Sequence, residues 1–363
     1  MKINLISSYV LNNSQRPIVA QAQADLIEAS YEATNNRIRD PGLKLGRQTG
    51  RFIENENQIS SLNGLKEGNE LAANRMSAAQ SAMQSLIGAS DKTNPGGTLI
   101  QFNKALMGDN VTATPKTMQS AAQSALDSFV SAMNTSYNGE YVFGGTNTQE
   151  PPFDYYKAGS NTGASQVVLD AFQSFFGFSV TDPGVNQITD AQMTEFIDGP
   201  FSKLFEEPSW STNFSRAEDG AVVNRISATG ETIDISSSAN EAGFRHAMKN
   251  MVLVAEFGNI GLSDKAQQVV SNRARASSDG KATGSAITEI ITVASTLGNS
   301  QARVKNAIDH MNAQLTILNQ TRNDMIGADY TEASAKMVEL QSVLQISYTM
   351  TSKIAKLSLV NYL

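Results

Sequence analysis

The chain has 363 residues, a formal net charge of −7 and no cysteine. Its length accommodates two or three domains, the missing thiols exclude a disulfide framework or a thiolate metal site, and the acidic balance argues against nucleic acid as the main partner. Only two histidines, His246 and His310, are present, which leaves little material for histidine-based metal or acid–base chemistry.

At the N-terminus Lys2 precedes Ile3, Leu5 and Ile6, but Asn4, Ser7, Ser8, Asn12, Asn13 and Gln15 interrupt any apolar core of a cleaved signal. No apolar run approaches the roughly 20 residues that span a bilayer. By the usual routes the chain therefore reads as cytoplasmic, while an export route that reads an uncleaved N-terminus escapes this test. A first helix is predicted over 17–39, with Pro17 in its first turn and Asp40-Pro41-Gly42 as its stop. Its seam is Val19, Ala22, Leu26, Ala29 and Ala33. A second helix, over 48–89, places Phe52, Ile59, Leu62, Lys66, Asn69, Ala73, Met76, Met83 and Leu86 on one face. After the breaker Asn94-Pro95-Gly96-Gly97, a third helix over 116–136 uses Met118, Ala122, Ala125, Phe129 and Ala132.

Composition shifts sharply in the middle. Residues 146–245 carry 14 acidic and five basic side chains, 13 of the 25 aromatics and five of the nine prolines, so an inserted domain is placed there. Strands are expected at 166–169, 176–180, 221–226 and 231–235, with turns at Asp182-Pro183-Gly184, Asp198-Gly199 and Asp219-Gly220. The insert thus reads as small β or α+β. Trp210, Phe205 and Phe214 are assigned to its core, because about 100 residues need large apolar side chains.

Helix returns over 241–257, with Phe244, Met248, Met251 and Ala255 on one face. A long helix over 283–323 carries Ile287, Ile290, Ala294, Leu297, Val304, Ile308, Met311, Leu315 and Leu318 in steps of three and four, interrupted only at Gln301. The last helix, over 331–357, repeats the pattern with Met337, Leu340, Leu344, Ser347, Thr351 and Ile354, and the chain closes on Leu357, Leu359 and Leu363. Such seams want a partner helix. An apolar terminus is explained by burial in an assembly. The seams are rich in Ala, Ser and Met, so each position contributes less than the roughly 1.5–3 kcal/mol of a buried Leu or Ile. The terminal helices are therefore expected to order only when something packs on them.

Enzyme chemistry finds no support: there is no G-x-S-x-G, no P-loop and no H-E-x-x-H. Gly144-Gly145 reads as a turn closing a strand. The histidines are boundary residues without metal-ligand spacing, and Glu206, Glu207, Glu218 and Asp219 form a solvated acidic face. No catalytic residue, cofactor or metal site is assigned.

Two stretches carry a resemblance. Asn138-Gly139-Glu140-Tyr141-Val142-Phe143-Gly144-Gly145-Thr146-Asn147-Thr148, followed by Pro152-Phe153, resembles the N-G-x-Y-x-F-x-G-x-x-T…P-F stretch of bacterial flagellar hook–filament junction proteins (hook-associated protein 3), within the flagellin superfamily. Ala328-Asp329-Tyr330 and the ending from Leu344-Gln345-Ile346-Ser347-Tyr348 to Leu363 look like the matching C-terminus, and residues 3–11 and 17–39 fit its beginning. Arg39–Gly46 departs from the family's Ser/Gly-rich, Asp-containing link. The resemblance implies a structural subunit exported unfolded by the flagellar type III apparatus and assembling as a ring at the hook tip. Its implied partners are copies of itself, hook-side and filament-side subunits, and a cytoplasmic chaperone on the C-terminal helix. No nucleic acid and no membrane enter.

The expected fold is mainly α and discontinuous. Residues 1–45 with 325–363 form an antiparallel coiled coil, 46–145 with 246–324 a helical bundle, and 146–245 the outer domain. Val19, Leu26, Met337, Leu340, Leu344, Ile354, Leu357 and Leu359 are the candidate assembly and chaperone seam. A flagellin filament subunit, and a secreted coiled-coil adhesin or translocator component, are the alternatives.

Overall fold

A computed structural model describes residues 8–88, 96–107, 114–278 and 285–360, with the side chains of 8–12, 276–278 and 354–360 outside the description. Its elements run α1 (Ser8–Asn35), α2 (Pro41–Leu45), α3 (Thr49–Ile87), α4 (Thr98–Leu106), α5 (Pro115–Met133), β1 (Ser136–Tyr137), β2 (Glu140–Tyr141), α6 (Gly163–Phe176), α7 (Asp190–Phe196), α8 (Ser209–Asn213), β3 (Val223–Arg225), β4 (Thr232–Asp234), α9 (Ala242–Phe257), α10 (Asp264–Ser278), α11 (Ala286–Ile326) and α12 (Tyr330–Val360). The fold is mainly α, and among the described residues the sheets are two antiparallel hairpins, β1–β2 and β3–β4. The chain divides into two compact units: residues up to 64 with those from 311 onward, and residues 65–310.

The second unit holds a thick core. α5 packs on α9, α9 on α10, and α4 on α5. Phe129, Phe143, Phe153, Phe172, Phe196, Phe201, Trp210, Phe244 and Phe257 are all fully buried in one continuous cluster. Residues 146–245 thus share their core with the flanking helices. Each such side chain contributes on the order of 1.5–3 kcal/mol by leaving water, and the rings meet edge-on or tilted, as Phe153 does with Trp210 at 5.6 Å and 72°.

In the first unit α1 packs along α12. The pair is antiparallel: Ile38 N–H donates to Ile326 O (2.8 Å) and Ala328 N–H to Asn36 O (3.1 Å), while further along α12 Tyr348 Oη accepts from Gln23 Nε2 (2.7 Å). The start of α3 and the end of α11 complete this unit, with Asn55 Nδ2 donating to Leu318 O (3.1 Å). Its buried apolar side chains among the described residues are few and include Ala22, Ala29 and Ala333 beside Ile59, Met311, Leu315, Ile326 and Leu344.

Several expectations are corrected. Residues 166–169 are helix, not strand: Ser165, Val168 and Phe172 fall on one buried face of α6. Paired valines and phenylalanines look strand-like, but burial follows their three-to-four spacing. Residues 176–180 are not a strand either. Gly177 caps α6 in the left-handed region (φ 82°), and Asp182 N–H closes a turn on Ser179 O. Asp198-Gly199 lies inside a π-turn at Ile197–Phe201. The helix begins at Ser8, so Pro17 sits in its interior. α4 and α10 were not foreseen. The hairpin β3–β4 does fall at the expected 221–226 and 231–235.

Candidate assembly surface

The terminal helices are apolar on more than one side. Their inner stripe is thin: Ala22, Ala29, Ala333, Leu344 and Ser347 are buried, and Val19, Leu26, Met337 and Leu340 half-buried. Outside this stripe Ile18, Ile27, Tyr31, Val338, Ile346, Tyr348 and Met350 are exposed, Ile346 at 61% and Val338 at 58%. Leu43, Ile53, Ile317 and Tyr330 join them, so eleven of the sixteen exposed large apolar residues among the described residues fall in the first unit, about a third of the chain. A surface helix of a self-contained domain keeps its outer face mostly polar, and a concentration of exposed large apolar side chains on one helix pair marks a surface built to be covered. Of the sequence-based seam, Ile354, Leu357 and Leu359 lie outside the described side chains.

A polar knot joins the α1 end of this unit to the next turn. Glu32 on α1 is buried at 7% exposure and accepts from Lys44 Nζ on α2, which also meets Glu28 at 3.3 Å. Hydrogen bonding and attraction to Glu32 raise the Lys44 pKa above its ordinary value. Asp40 Oδ1 caps α2 by accepting from Leu43 N–H (3.0 Å). Asp329 caps α12, and its bonds from the N–H groups of Thr331 and Glu332 hold its carboxyl below the usual range. Sequence reasoning missed this knot, although a lone glutamate among Ala29 and Ala33 was a visible signal.

The second motif region lies in the other unit and builds its core. Asn138 (φ 54°) and Gly139 (φ 83°) form the tight turn of the β1–β2 hairpin, where both central residues need positive φ. Tyr141 N–H donates to Thr148 O (2.8 Å). Phe143 is buried edge-on against Phe244 (5.5 Å, 71°), and its carbonyl accepts from Ala239 N–H. Gly145 (φ 63°) passes so close to Glu218 that a Cβ would lie 1.8 Å from its carbonyl oxygen. Phe153 is clamped by Asn134, whose Oδ1 accepts from its N–H (3.0 Å) and whose Nδ2 donates to its carbonyl (2.8 Å). The structure therefore gives Asn138, Gly139, Tyr141, Phe143, Gly145, Thr148 and Phe153 a local architectural role.

The histidines are surface and boundary residues, as expected: His310 is exposed and His246 half-buried, with its Nδ1 2.7 Å from Glu289 Oε2, so His246 and Glu289 clip α9 to α11. Among the described residues no group of His, Asp and Glu has the makings of a metal site, and no helix is long and apolar enough to cross a membrane. Trp210, Phe205 and Phe214 are core, as expected.

Residues 6–148 match the family model of the bacterial flagellin N-terminal helical region, and residues 281–363 that of the bacterial flagellin C-terminal helical region, together more than half the chain. No curated protein matches. A solved structure described as a flagellar hook-associated protein from Vibrio parahaemolyticus is similar with a TM-score of 0.50 and 12% identity, over 77% of this chain and 97% of that one. At such identity the likeness concerns the fold alone.

Proposed function

Because this chain belongs to the flagellin family of bacterial flagellar structural proteins, we propose that it is the subunit joining hook to filament, assembling as a ring at the hook tip. The observation that carries the assembly role is the apolar outer face of the α1–α12 pair, led by Ile18, Ile27, Val338 and Ile346. Covering a side chain such as Ile346 or Val338 contributes roughly 1–2 kcal/mol per residue, repeated around a ring by one heterologous contact. The junction role rests on the stretch from Asn138 to Phe153 and on the ending from Leu344 onward, and the hook-associated neighbour accords with it. In this reading the chain leaves the cell through the flagellar type III apparatus, a cytoplasmic chaperone covers α12 beforehand, and hook-side and filament-side subunits are its lasting partners.

A flagellin filament subunit is the second reading, since both family models describe flagellin regions. The purified chain is to be incubated in kosmotropic salt, and separately with isolated hooks followed by flagellin monomers. A junction subunit stays unpolymerised alone, binds hook tips and permits filament growth from them. Long filaments from this chain alone would establish the second reading instead. The variant Leu344→Asp buries a charge in the helix pair and is expected to abolish hook binding while the second unit stays folded.

A further inference from the structure

We propose that the tip of the β1–β2 hairpin is a self-modification site, where the Asn138 side-chain amide is lost through a cyclic imide with Gly139 and replaced by aspartate or isoaspartate. The co-reactant is water. Asn-Gly occurs twice in the chain, at Asn63-Gly64 and Asn138-Gly139. Asparagine is a chemically labile residue, a following glycine leaves the backbone nitrogen unhindered, and both asparagines are exposed. The backbone around them separates the two pairs.

Asn63-Gly64 lies inside α3. There the Gly64 N–H belongs to the i−4 ladder and the asparagine ψ is held at about −42°. Ring closure needs the asparagine Cβ and the next nitrogen eclipsed, at a ψ of about −120°, which is the value at the first central residue of a type II′ turn. A helix forbids that geometry until it opens locally. Asn138-Gly139 has an easier route. Its two positive φ values, 54° and 83°, make a type I′ turn. Flipping the one peptide between the two residues converts type I′ to type II′. The Asn138 ψ then moves from about +30° to about −120°, and the Gly139 φ from about +90° to about −80°. Glycine takes either sign of φ, and a Cβ at 139 would meet nothing within 4 Å, so the flipping peptide has room. Both turn types close two-residue hairpins, so the strands keep their register. Among the described residues no backbone hydrogen bond engages the Gly139 N–H.

In the flipped turn the Gly139 nitrogen loses its proton to solvent base and attacks Asn138 Cγ. The N–Cγ bond forms, the Cγ–Nδ2 bond breaks, and Nδ2 leaves as ammonia with a proton from water. Water then opens the ring at either carbonyl, giving aspartate or, with one more carbon in the backbone, isoaspartate. Each product puts a carboxylate at the cleft that Asn138 lines with Arg75 and Glu140. Arg75, at 5% exposure, donates from Nη1 to Glu140 Oε2 and from Nη2 to Tyr141 O (2.9 Å). The new charge therefore competes with Glu140 for the guanidinium that ties α3 to β2.

The test incubates the full chain at mildly alkaline pH, folded and in parallel in urea. Peptide mass spectrometry and an isoaspartyl methylation assay follow both asparagines. In the folded chain Asn138 should convert faster than Asn63 by about tenfold or more, because the helix interior must open first. In urea the two rates should come within about threefold of each other. Asn138→Gly keeps a Gly-Gly turn suited to type I′ and should remove most of the isoaspartate of the folded chain. Four results would each overturn the proposal: Asn138 converting no faster than Asn63 in the folded chain, a rate ratio unchanged by urea, aspartate at 138 without isoaspartate, or undiminished isoaspartate in Asn138→Gly.

Discussion

Replacing Glu256 with alanine tests how the second unit is held together. Glu256 sits in the apolar run of α9 at 4% exposure and accepts from Tyr156 Oη (2.7 Å), Ser165 Oγ (2.7 Å) and Gly159 N–H (3.0 Å). Through these bonds one carboxylate ties the segment entering α6 to the helix that leaves the hairpins. Alanine leaves the buried Tyr156 and Ser165 hydroxyls without an acceptor, at about 1–3 kcal/mol each, while sparing the cost of burying the carboxylate. The net loss is set at about 2–4 kcal/mol. Glu256→Gln keeps the volume and one acceptor and should cost about 1–2 kcal/mol. Urea unfolding followed by fluorescence of Trp210, buried in the same core, reads both. Burial raises the Glu256 carboxyl above its ordinary value of 4.5, and raises the Tyr156 hydroxyl well above 10.0. A carboxyl whose folded pKa is raised binds its proton more tightly in the folded state, so its contribution is full below about 4.5 and is lost as pH rises through the folded value. The stability difference between wild type and Glu256→Gln should therefore shrink over that rise. A loss below about 0.5 kcal/mol in Glu256→Ala, or a difference that grows with pH there, would refute this reasoning.

Lys44→Met should leave Glu32 buried without its cation and destabilise the first unit by about 1–3 kcal/mol, read as faster hydrogen exchange in residues 13–45. Because Lys44 titrates above its ordinary 10.5 in the fold, its contribution persists below that value and vanishes as pH rises through the raised one, so the wild type should lose this protection at strongly alkaline pH. Gly145→Ala meets the Glu218 carbonyl and demands positive φ, and is expected to cost upward of about 2 kcal/mol in urea unfolding. Ile346→Lys changes an exposed position, so unfolding should shift by no more than about 0.5 kcal/mol while hook binding is lost.

The helices outside the middle region were legible because their apolar residues recur at helical spacing: α3, α5, α9, α11 and α12 fall close to their expected limits. The seam of α11 is buried at Ile287, Ile290, Leu297, Val304, Met311 and Leu315, and half-buried at Ala294, Ile308 and Leu318. Between 146 and 245 the sequence misled, because aromatic and β-branched residues suit strands and buried short helices alike. Only tertiary burial separates the two. α10 escaped notice because its buried Ala266, Val270 and Ala274 are small and lie in a polar sequence. The pairing of His246 with Glu289 joins residues 43 apart, which no local spacing reveals. Glu256 had a signal, a single acid between Met251-Val252-Leu253-Val254-Ala255 and Phe257, whose meaning depended on partners around 100 positions earlier. Domain boundaries drawn from composition followed charge and proline, whereas the core follows aromatic contact across 146 and 245. On the candidate surface, the inward stripe was readable, but Ile18, Ile27, Val338 and Ile346 lie off its three-to-four spacing, and a single seam does not reveal a second face to be covered.

Hydrogen exchange by segment, compared between the free chain and the chain bound to isolated hooks, tests the assembly role most directly. The account predicts that residues 13–35 and 330–353 gain strong protection on hook binding, while residues 114–275 keep the protection of the free chain. Unchanged exchange in both terminal helices on bound hooks, with new protection confined to 114–275, would contradict it.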